Sequence, residues 1–409
     1  MALSVTGVLI AVDGAAGRSP FVAGGKHLMG SLSGPLSGLG DPLTGRRFVV
    51  LILVMSGAYA LLVLCADALP ARSLLAAIVA FHVLFLLAPP LLSTDVFSYL
   101  GYARLGALHG IDPYAHGAAS APHDAVYAYV PHIWRHAPTV YGPLFTVASY
   151  PLALLGLAGG LWALKLLAAA SGLGCVALVW LCARRLRIEP LRPVVLVGLS
   201  PLWVVYGVGG AHNDLSMLAL MVAGAWLVLA NRERWGAAAV VGGAAVKVTA
   251  AALLPFILLA RPRRDLVIGM AAAGAALAMV ALAVFGPHAL AFVGALHKQQ
   301  LFVSSDSFPN EVAHLFGLPG VIHSVRLAAH LLLVVVIVYL LVGVWRGAGW
   351  IAAAGWAMLT LAVTTTWLLA WYTFWSLPLA AISRDRRLIV ATLVVQALFL
   401  VHQVGPLFT

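Results

Sequence analysis

The sequence predicts an all-α, polytopic membrane protein. Three observations support this prediction: 63% of the 409 residues are hydrophobic and only 9% are charged, the mean hydropathy is +1.02, and long apolar runs recur along the chain. Soluble globular domains carry roughly a quarter of charged residues. A composition this poor in charge therefore excludes an ordinary soluble protein.

The apolar runs give the predicted membrane spans, because a helix needs about 20 apolar residues to cross the hydrocarbon core. The predicted spans are 48–66, 73–92, 162–183, 193–209, 212–230, 236–260, 266–285, 323–345, 350–366, 368–382 and 388–404, with 141–157 as a weaker candidate. They predict roughly 11 to 13 transmembrane helices in one domain over 47–409. The Gly- and Ser-rich sequence before it predicts a flexible N-terminal tail over 1–46.

The formal net charge of +11 comes from short basic clusters between the apolar runs. This pattern indicates topology signals and affinity for anionic membrane lipids, and not the binding of nucleic acid. The positive-inside rule assigns the clusters to the cytoplasmic side. Segments 93–143 and 286–322 then form a first and a second outer loop, the first with interfacial helices. Basic clusters lie on both sides of the stretch 236–260. To keep both clusters cytoplasmic, this stretch has to turn back at Lys247.

The chain has only 13 acidic residues, which narrows the search for a catalytic carboxylate. Seven of them lie in basic turns, in the tail or near the first span, and the predicted outer side keeps Asp95, Asp112, Asp124, Asp214, Asp306 and Glu311. Asp95 follows a span and begins an amphipathic segment on which Tyr99 and Tyr102 share its face. We interpret Asp95 as a general base at the membrane surface, with capping of the helix N-terminus as the alternative. Asp112, which precedes a proline, indicates a turn.

Histidines and one buried lysine are the other polar candidates. His132 and His136 have the spacing of two zinc ligands, but no carboxylate or thiolate completes the set, so contact with a sugar or a phosphate is the better interpretation. The segment His212-Asn213-Asp214 begins a helix, where it either caps the amides or binds an anion. Lys247 lies in an apolar stretch with no acid within a helical turn, so it either binds a lipid phosphate or reaches to the interface.

Five motifs follow one another along the chain: DVFSY at 95–99, GIDPY at 110–114, YGPLF at 141–145, AHND at 211–214 and AVK at 245–247. Together they resemble the GT-C superfamily of integral-membrane glycosyltransferases. Within it, the chain is most similar to the actinobacterial polyprenol-phosphate-mannose-dependent α-1,6-mannosyltransferases that build the lipomannan backbone. The resemblance implies a GT-C fold, a catalytic acid at Asp95 and a lipid-linked monosaccharide donor. Many members have two adjacent acids at this position, whereas Thr94-Asp95-Val96 has one, which favours a single base without a divalent metal.

The resemblance further implies an inverting transfer of mannose from a polyprenyl monophosphate to a mannoside or lipoglycan hydroxyl, forming an α-1,6 linkage. The site would face the extracytoplasmic side of the cytoplasmic membrane, and no metal or other cofactor is expected. Residues expected at the donor phosphate are Lys247, Arg104, Lys298, His297, His212 and Asn213. Residues expected at the sugar or acceptor are Tyr99, Tyr102, His132, Trp134, His136, Tyr141 and Asp214. The alternatives are the same fold with another lipid-linked sugar, such as arabinose, and a membrane transporter or lipid flippase.

Overall fold

The computed structural model describes residues 1–16, 22, 30–261 and 264–404. Within these residues the chain forms helices and no strand, with a single isolated bridge between Val22 and Leu91. The predicted all-α class is confirmed. The α-helices are α1 Ala2–Ala15, α2 Gly45–Leu64, α3 Ala71–Leu87, α4 Asp95–His109, α5 Pro143–Ala153, α6 Gly156–Arg185, α7 Leu191–Gly198, α8 Asp214–Leu229, α9 Glu233–Ala244, α10 Leu254–Ala260, α11 Arg264–Phe285, α12 Ala291–Gln299, α13 Phe308–Leu315, α14 His323–Trp345, α15 Trp350–Thr364, α16 Leu377–Ile382 and α17 Arg386–Val404.

The membrane prediction is also supported by helix length and hydropathy. In the described part of the chain, five segments are long and apolar enough to cross a membrane, namely Gly45–Leu64, Gly156–Arg185, Arg264–Gln299, His323–Trp345 and Arg386–Gln403. A sixth arises if α7 and the π-helix Leu202–Val208, which meet at a 48° bend, form one span. The predicted 11 to 13 spans exceed this number because several predicted spans form shorter apolar helices of 10–17 residues, such as Ala71–Leu87 and Asp214–Leu229, and breaks divide others. Pro201, for example, separates α7 from the π-helix.

One end of the molecule, which we call the basic end, gathers turns that carry arginine. Arg384 donates a hydrogen bond to the carbonyl of Arg187 at 3.0 Å, and Arg185 Nε donates to the carbonyl of Leu229 at 3.2 Å. These turns follow α16, α6 and α8, so three separate connections meet at this end. The grouping agrees with the basic clusters that the positive-inside rule assigns to one side.

The stretch after α8 forms the hairpin that the sequence predicts. α9 leaves the basic end, the chain becomes extended at Lys247, and residues 248–260 lead back. Arg261, directly after α10, donates from its guanidinium to Asn231 Oδ1 at 3.2 Å. Because Asn231 precedes α9, the second arm of the hairpin ends beside the point where the first arm begins. The predicted turn at Lys247 is therefore confirmed.

The N-terminal segment differs from the predicted flexible tail over 1–46. Residues Ala2–Ala15 form α1, which packs on α2 and α3 and buries Leu3 and Ile10. Asp13 is buried and pairs with Arg47 at 2.7 Å. The Gly- and Ser-rich composition of the whole segment hid an apolar stretch at its beginning that can pack as a helix. Residues 17–21 and 23–29 of the predicted tail lie outside the described residues.

Candidate active site

A cavity of about 990 Å³ lies where α4 begins and the α9 hairpin turns. The first outer loop, the turn at Lys247, the C-terminal end of α12 and residues 365–375 line it. Asp95 enters this cavity from the first position of α4, with about a quarter of its side chain exposed. Its carboxylate makes no capping bond to the helix. Instead, Ser93 Oγ accepts a hydrogen bond from the Asp95 amide at 3.1 Å.

The surroundings of Asp95 make its carboxylate a stronger base than an ordinary aspartate. Burial raises the pKa of Asp95 to about 6, the nearby Asp214 charge adds to this effect, and Lys247 opposes it. A group with a pKa just below neutral pH is largely ionised there and accepts a proton readily. Asp95 is the only acidic residue among the described residues that line the cavity.

His212 lies behind Asp95 and does not line the cavity. Its imidazole is buried, stacks on Trp371 with ring centroids 3.6 Å apart, and approaches Asp95 Oδ2 with Nδ1 at 3.7 Å. Burial and the charge of Lys247 lower the pKa of His212 well below its usual value, so the contact with Asp95 is not an ion pair. Neither ring nitrogen has a hydrogen-bond partner in the described part of the chain.

Lys247 has an acidic partner, which lies 33 residues away in the sequence. Its Nζ lies 2.8 Å from Asp214 Oδ1, and Trp375 Nε1 donates to the same oxygen at 2.6 Å. The ammonium also lies over the rings of Tyr372 and Trp375, at 4.7 and 5.2 Å from their centroids. Asp214, which we predicted at the sugar, is buried beneath Lys247 and does not line the cavity. We call Asp95 and Lys247, together with the His212 and Asp214 side chains buried behind them, the charged end of the cavity.

The structure brings half of the predicted site residues to the cavity wall: Asp95, Tyr102, Trp134, His136, Tyr141, Lys247 and Lys298. It does not bring Arg104 there, because Arg104 Nε pairs with Asp124 at 2.7 Å inside the outer loop. Tyr99 is buried and donates to Asn213 Oδ1 at 3.3 Å. His132 and His297 are exposed and away from the cavity wall. No group of three metal-ligating side chains occurs among the described residues.

The YGP motif brings Tyr141 to the cavity by docking on the α9 hairpin. Gly142 donates from its amide to the carbonyl of Val246 at 3.0 Å, and a Cβ atom at this position would collide with the carbonyl of Ala245. Tyr114 supports the same turn by donating its hydroxyl to the carbonyl of Tyr141 at 2.7 Å. The motif therefore fixes the outer loop next to Lys247.

Lys165 was missed by the sequence analysis although it is a charge inside an apolar run. It is fully buried in α6, and its Nζ donates to the carbonyls of Gly209 at 3.0 Å and Pro89 at 3.4 Å. The first carbonyl precedes His212 and the second precedes Asp95. Lys165 therefore joins the two non-helical segments that lead to Asp95 and to His212.

Aromatic residues after α15 were also missed, because the run 368–382 was predicted as a span. Trp371, Tyr372 and Trp375 line the cavity and contact His212 or Lys247. Residues 370–372 form a 3-10 helix and not part of a long apolar helix. Five aromatic residues within 367–375 were the signal that could have found them.

Part of the sequence that builds this cavity matches a known protein family. A family model described as "Alpha-(1->6)-mannopyranosyltransferase, N-terminal domain" matches residues 3–263, more than half of the chain. The chain belongs to this family. The part that matches the mannopyranosyltransferase model contains all four residues of the charged end.

Curated members agree with this assignment. "Alpha-(1->6)-mannopyranosyltransferase A" of Mycobacterium tuberculosis is 30% identical over 338 residues, which cover 75% of this chain and 64% of that protein. "Alpha-(1->6)-mannopyranosyltransferase A" of Corynebacterium glutamicum is 32% identical over 178 residues, covering 42% of this chain and 35% of that protein. This chain thus spans less than two thirds of either relative. No solved structure matches it.

Proposed function

We propose that the chain is an inverting glycosyltransferase that moves mannose from a polyprenyl monophosphate to a hydroxyl of a mannoside or lipoglycan acceptor, forming an α-1,6 linkage. The observation that carries this proposal is the lone carboxylate of Asp95 in a cavity of about 990 Å³, with a pKa raised to about 6. Family membership supports mannosyl transfer.

The chemistry needs a base, a stabilised leaving group and alignment of the two reactants. Asp95 takes the proton of the acceptor hydroxyl as that oxygen attacks the anomeric carbon. The bond from this carbon to the phosphate oxygen breaks on the opposite face, and the lipid phosphate leaves with the electron pair. A single displacement needs one carboxylate, whereas glycosidases use two. The lone acid in the cavity wall therefore favours inversion.

Two lysines in the cavity wall are suited to the leaving phosphate, to different degrees. Lys298 lines the cavity and has no ion-pair partner among the described residues, so its full charge is available to an anion. Lys247 also lines the cavity, but Asp214 balances part of its charge. We assign the main phosphate contact to Lys298 and a second contact to Lys247. Cations of this kind stabilise a phosphate by charge-assisted hydrogen bonds without a metal.

The positive-inside rule supports the orientation of the site. The basic end carries the arginine-rich turns, and Asp214 and Lys247 lie at the opposite ends of α8 and α9. We therefore propose that the cavity opens on the extracytoplasmic side of the cytoplasmic membrane.

The test is sugar transfer by the purified chain in detergent. Polyprenyl-phosphate [¹⁴C]mannose and an α-mannoside acceptor should give a labelled product in which the new linkage is α-1,6. Transfer from polyprenyl-phosphate arabinose instead of mannose would overturn the choice of sugar. Absence of any transfer, together with movement of the lipid across the bilayer of reconstituted vesicles, would favour a flippase.

A further inference from the structure

Three aromatic rings meet in the wall of the cavity. Trp134 and Phe302 have ring centroids 5.3 Å apart, Phe302 and Trp367 are 5.5 Å apart, and Trp134 and Trp367 are 6.1 Å apart. All three line the cavity, and 42% of Phe302 is exposed. We call these residues the aromatic trio. They come from three distant parts of the chain, so the fold creates this surface.

Polar contacts hold two members of the trio, Phe302 and Trp367, in place. The guanidinium of Arg326 donates to the carbonyl of Gln300, to the carbonyl of Leu301 at 3.1 Å and to Thr366 Oγ1 at 3.1 Å. Thr366 Oγ1 in turn donates to the carbonyl of Phe302 at 2.9 Å. Arg326 therefore locks the segment before Phe302 against the segment before Trp367. Such a clamp keeps the partly exposed rings fixed before any ligand arrives, which lowers the cost of binding.

Amide side chains accompany the rings. Gln299 and Gln300 line the same cavity, and neither side-chain amide has a hydrogen-bond partner among the residues that the structure describes. Free amides next to open ring faces suit a ligand with an apolar face and a rim of hydroxyl groups. A pyranose ring has both. A hydrocarbon chain would leave the amides unsatisfied, which costs free energy.

The trio differs from the charged end in having no charge of its own. Trp371, Tyr372 and Trp375 are occupied by His212 and Lys247, whereas no cation lies over the rings of the trio in the described residues. The cavity volume of about 990 Å³ is at the upper end for a small-molecule site, so two ligands fit side by side.

We propose that the aromatic trio, with Gln299 and Gln300, is the acceptor subsite and binds a pyranose ring of a neutral glycan. This inference rests on the proposed function, in which Lys298 and Lys247 hold the phosphate of the donor and Asp95 is the base. The rings stack on the apolar face of the sugar, the amides contact its hydroxyl groups, and one further hydroxyl points toward Asp95.

The experiment compares Phe302→Ala and Trp367→Ala with the control Trp235→Ala in the 409-residue chain. Trp235 is 68% exposed and lies in the first turn of α9, near the basic end. We expect the KM for the α-mannoside acceptor to rise about tenfold in the two trio variants, the scale of one lost aromatic contact. The KM for the polyprenyl-phosphate mannose donor should change less than about threefold, and the control should match the wild type.

Binding without transfer provides a second readout. Titration of methyl α-mannoside should change the tryptophan fluorescence of the wild-type chain, and Phe302→Ala should weaken this binding about tenfold. An unchanged acceptor KM in both trio variants, or a rise in donor KM alone, would overturn the subsite while leaving the proposed transfer intact. Failure of the wild-type chain to transfer mannose would reject the proposed function instead. Absence of mannoside binding by the wild-type chain would reject the subsite.

Discussion

The charged end and the aromatic trio form two parts of one cavity, and they are held by different means. At the charged end, ionisable side chains are paired across the fold, as Lys247 is with Asp214. At the trio, Arg326 holds backbone carbonyls and leaves the rings open. A displacement reaction needs charges that stay in fixed positions. Recognition of a neutral sugar needs open ring faces instead. Substitutions at the charged end should therefore alter turnover, and those at the trio should alter acceptor affinity.

The largest effect is expected for Asp95→Asn. Loss of the base should lower kcat by about 10³-fold while the affinity for polyprenyl-phosphate mannose stays within about threefold of the wild type. Radiolabel transfer and equilibrium binding of the donor measure the two quantities. Wild-type turnover in this variant would remove Asp95 from the mechanism.

Thermal unfolding provides the control for this variant. The fold raises the pKa of Asp95 from 3.8 to about 6, so the fold favours its neutral form. The free energy of unfolding therefore falls as the pH rises from the unfolded to the folded pKa, and at pH 7 the ionised carboxylate is destabilising. Asp95→Asn should unfold at the same temperature as the wild type or higher, which separates lost chemistry from misfolding.

Lys165→Met should have the next largest effect. Methionine has a similar length but cannot donate to the carbonyls of Pro89 and Gly209. The two non-helical segments that contain these carbonyls therefore lose the side chain that joins them. A displacement of Asp95 by about 1 Å is enough to lower kcat by roughly 10²-fold. Donor affinity should change little, because Lys165 does not line the cavity. A normal kcat in a correctly folded Lys165→Met enzyme would show that the two non-helical segments keep their geometry without the lysine.

Lys247→Met and Asp214→Asn form a matched pair that should move the pH profile in opposite directions. Lys247 lowers the pKa of Asp95 and Asp214 raises it. The acidic limb of the kcat profile should therefore shift to higher pH in Lys247→Met and to lower pH in Asp214→Asn. Lys247→Met should also weaken donor binding about tenfold, as expected for one charged hydrogen bond. Shifts in the same direction for both variants would contradict the electrostatic arrangement.

The smallest effect on activity is expected for Arg104→Met. Arg104 was predicted at the donor phosphate, but it pairs with Asp124, a side chain that is only 4% exposed. Asp124 keeps His109 Nε2 at 2.7 Å and the amide of Val126 at 2.9 Å, so thermal stability should fall only slightly. Donor affinity should stay at the wild-type value, and a loss of donor affinity that exceeds the loss of stability would return Arg104 to the phosphate site.

The parts of the site that the sequence predicted are those with local signals. Asp95 is an acid directly after an apolar run, and Tyr141 belongs to the YGPLF motif. The α9 hairpin followed from charge order, since only a turn at Lys247 keeps the arginines on one side. The helical class followed from the composition and from the recurring apolar runs.

The parts that it did not predict depend on contacts between distant residues. The partner of Lys247 lies 33 residues away, on α8. The contacts of Lys165 with Pro89 and Gly209 are separated by 76 and 44 residues. The trio joins three loops. Periodicity and charge order describe neighbours along the chain, and these pairings arise only when helices pack.

The most direct test of the central claim is the pH dependence of a single turnover with saturating donor. The wild-type rate should increase with pH along an acidic limb whose apparent pKa is about 6, the pKa of Asp95. The small residual rate of Asp95→Asn should lack this limb. A wild-type limb near pH 4, or the same limb in Asp95→Asn, would contradict the assignment of Asp95 as the base.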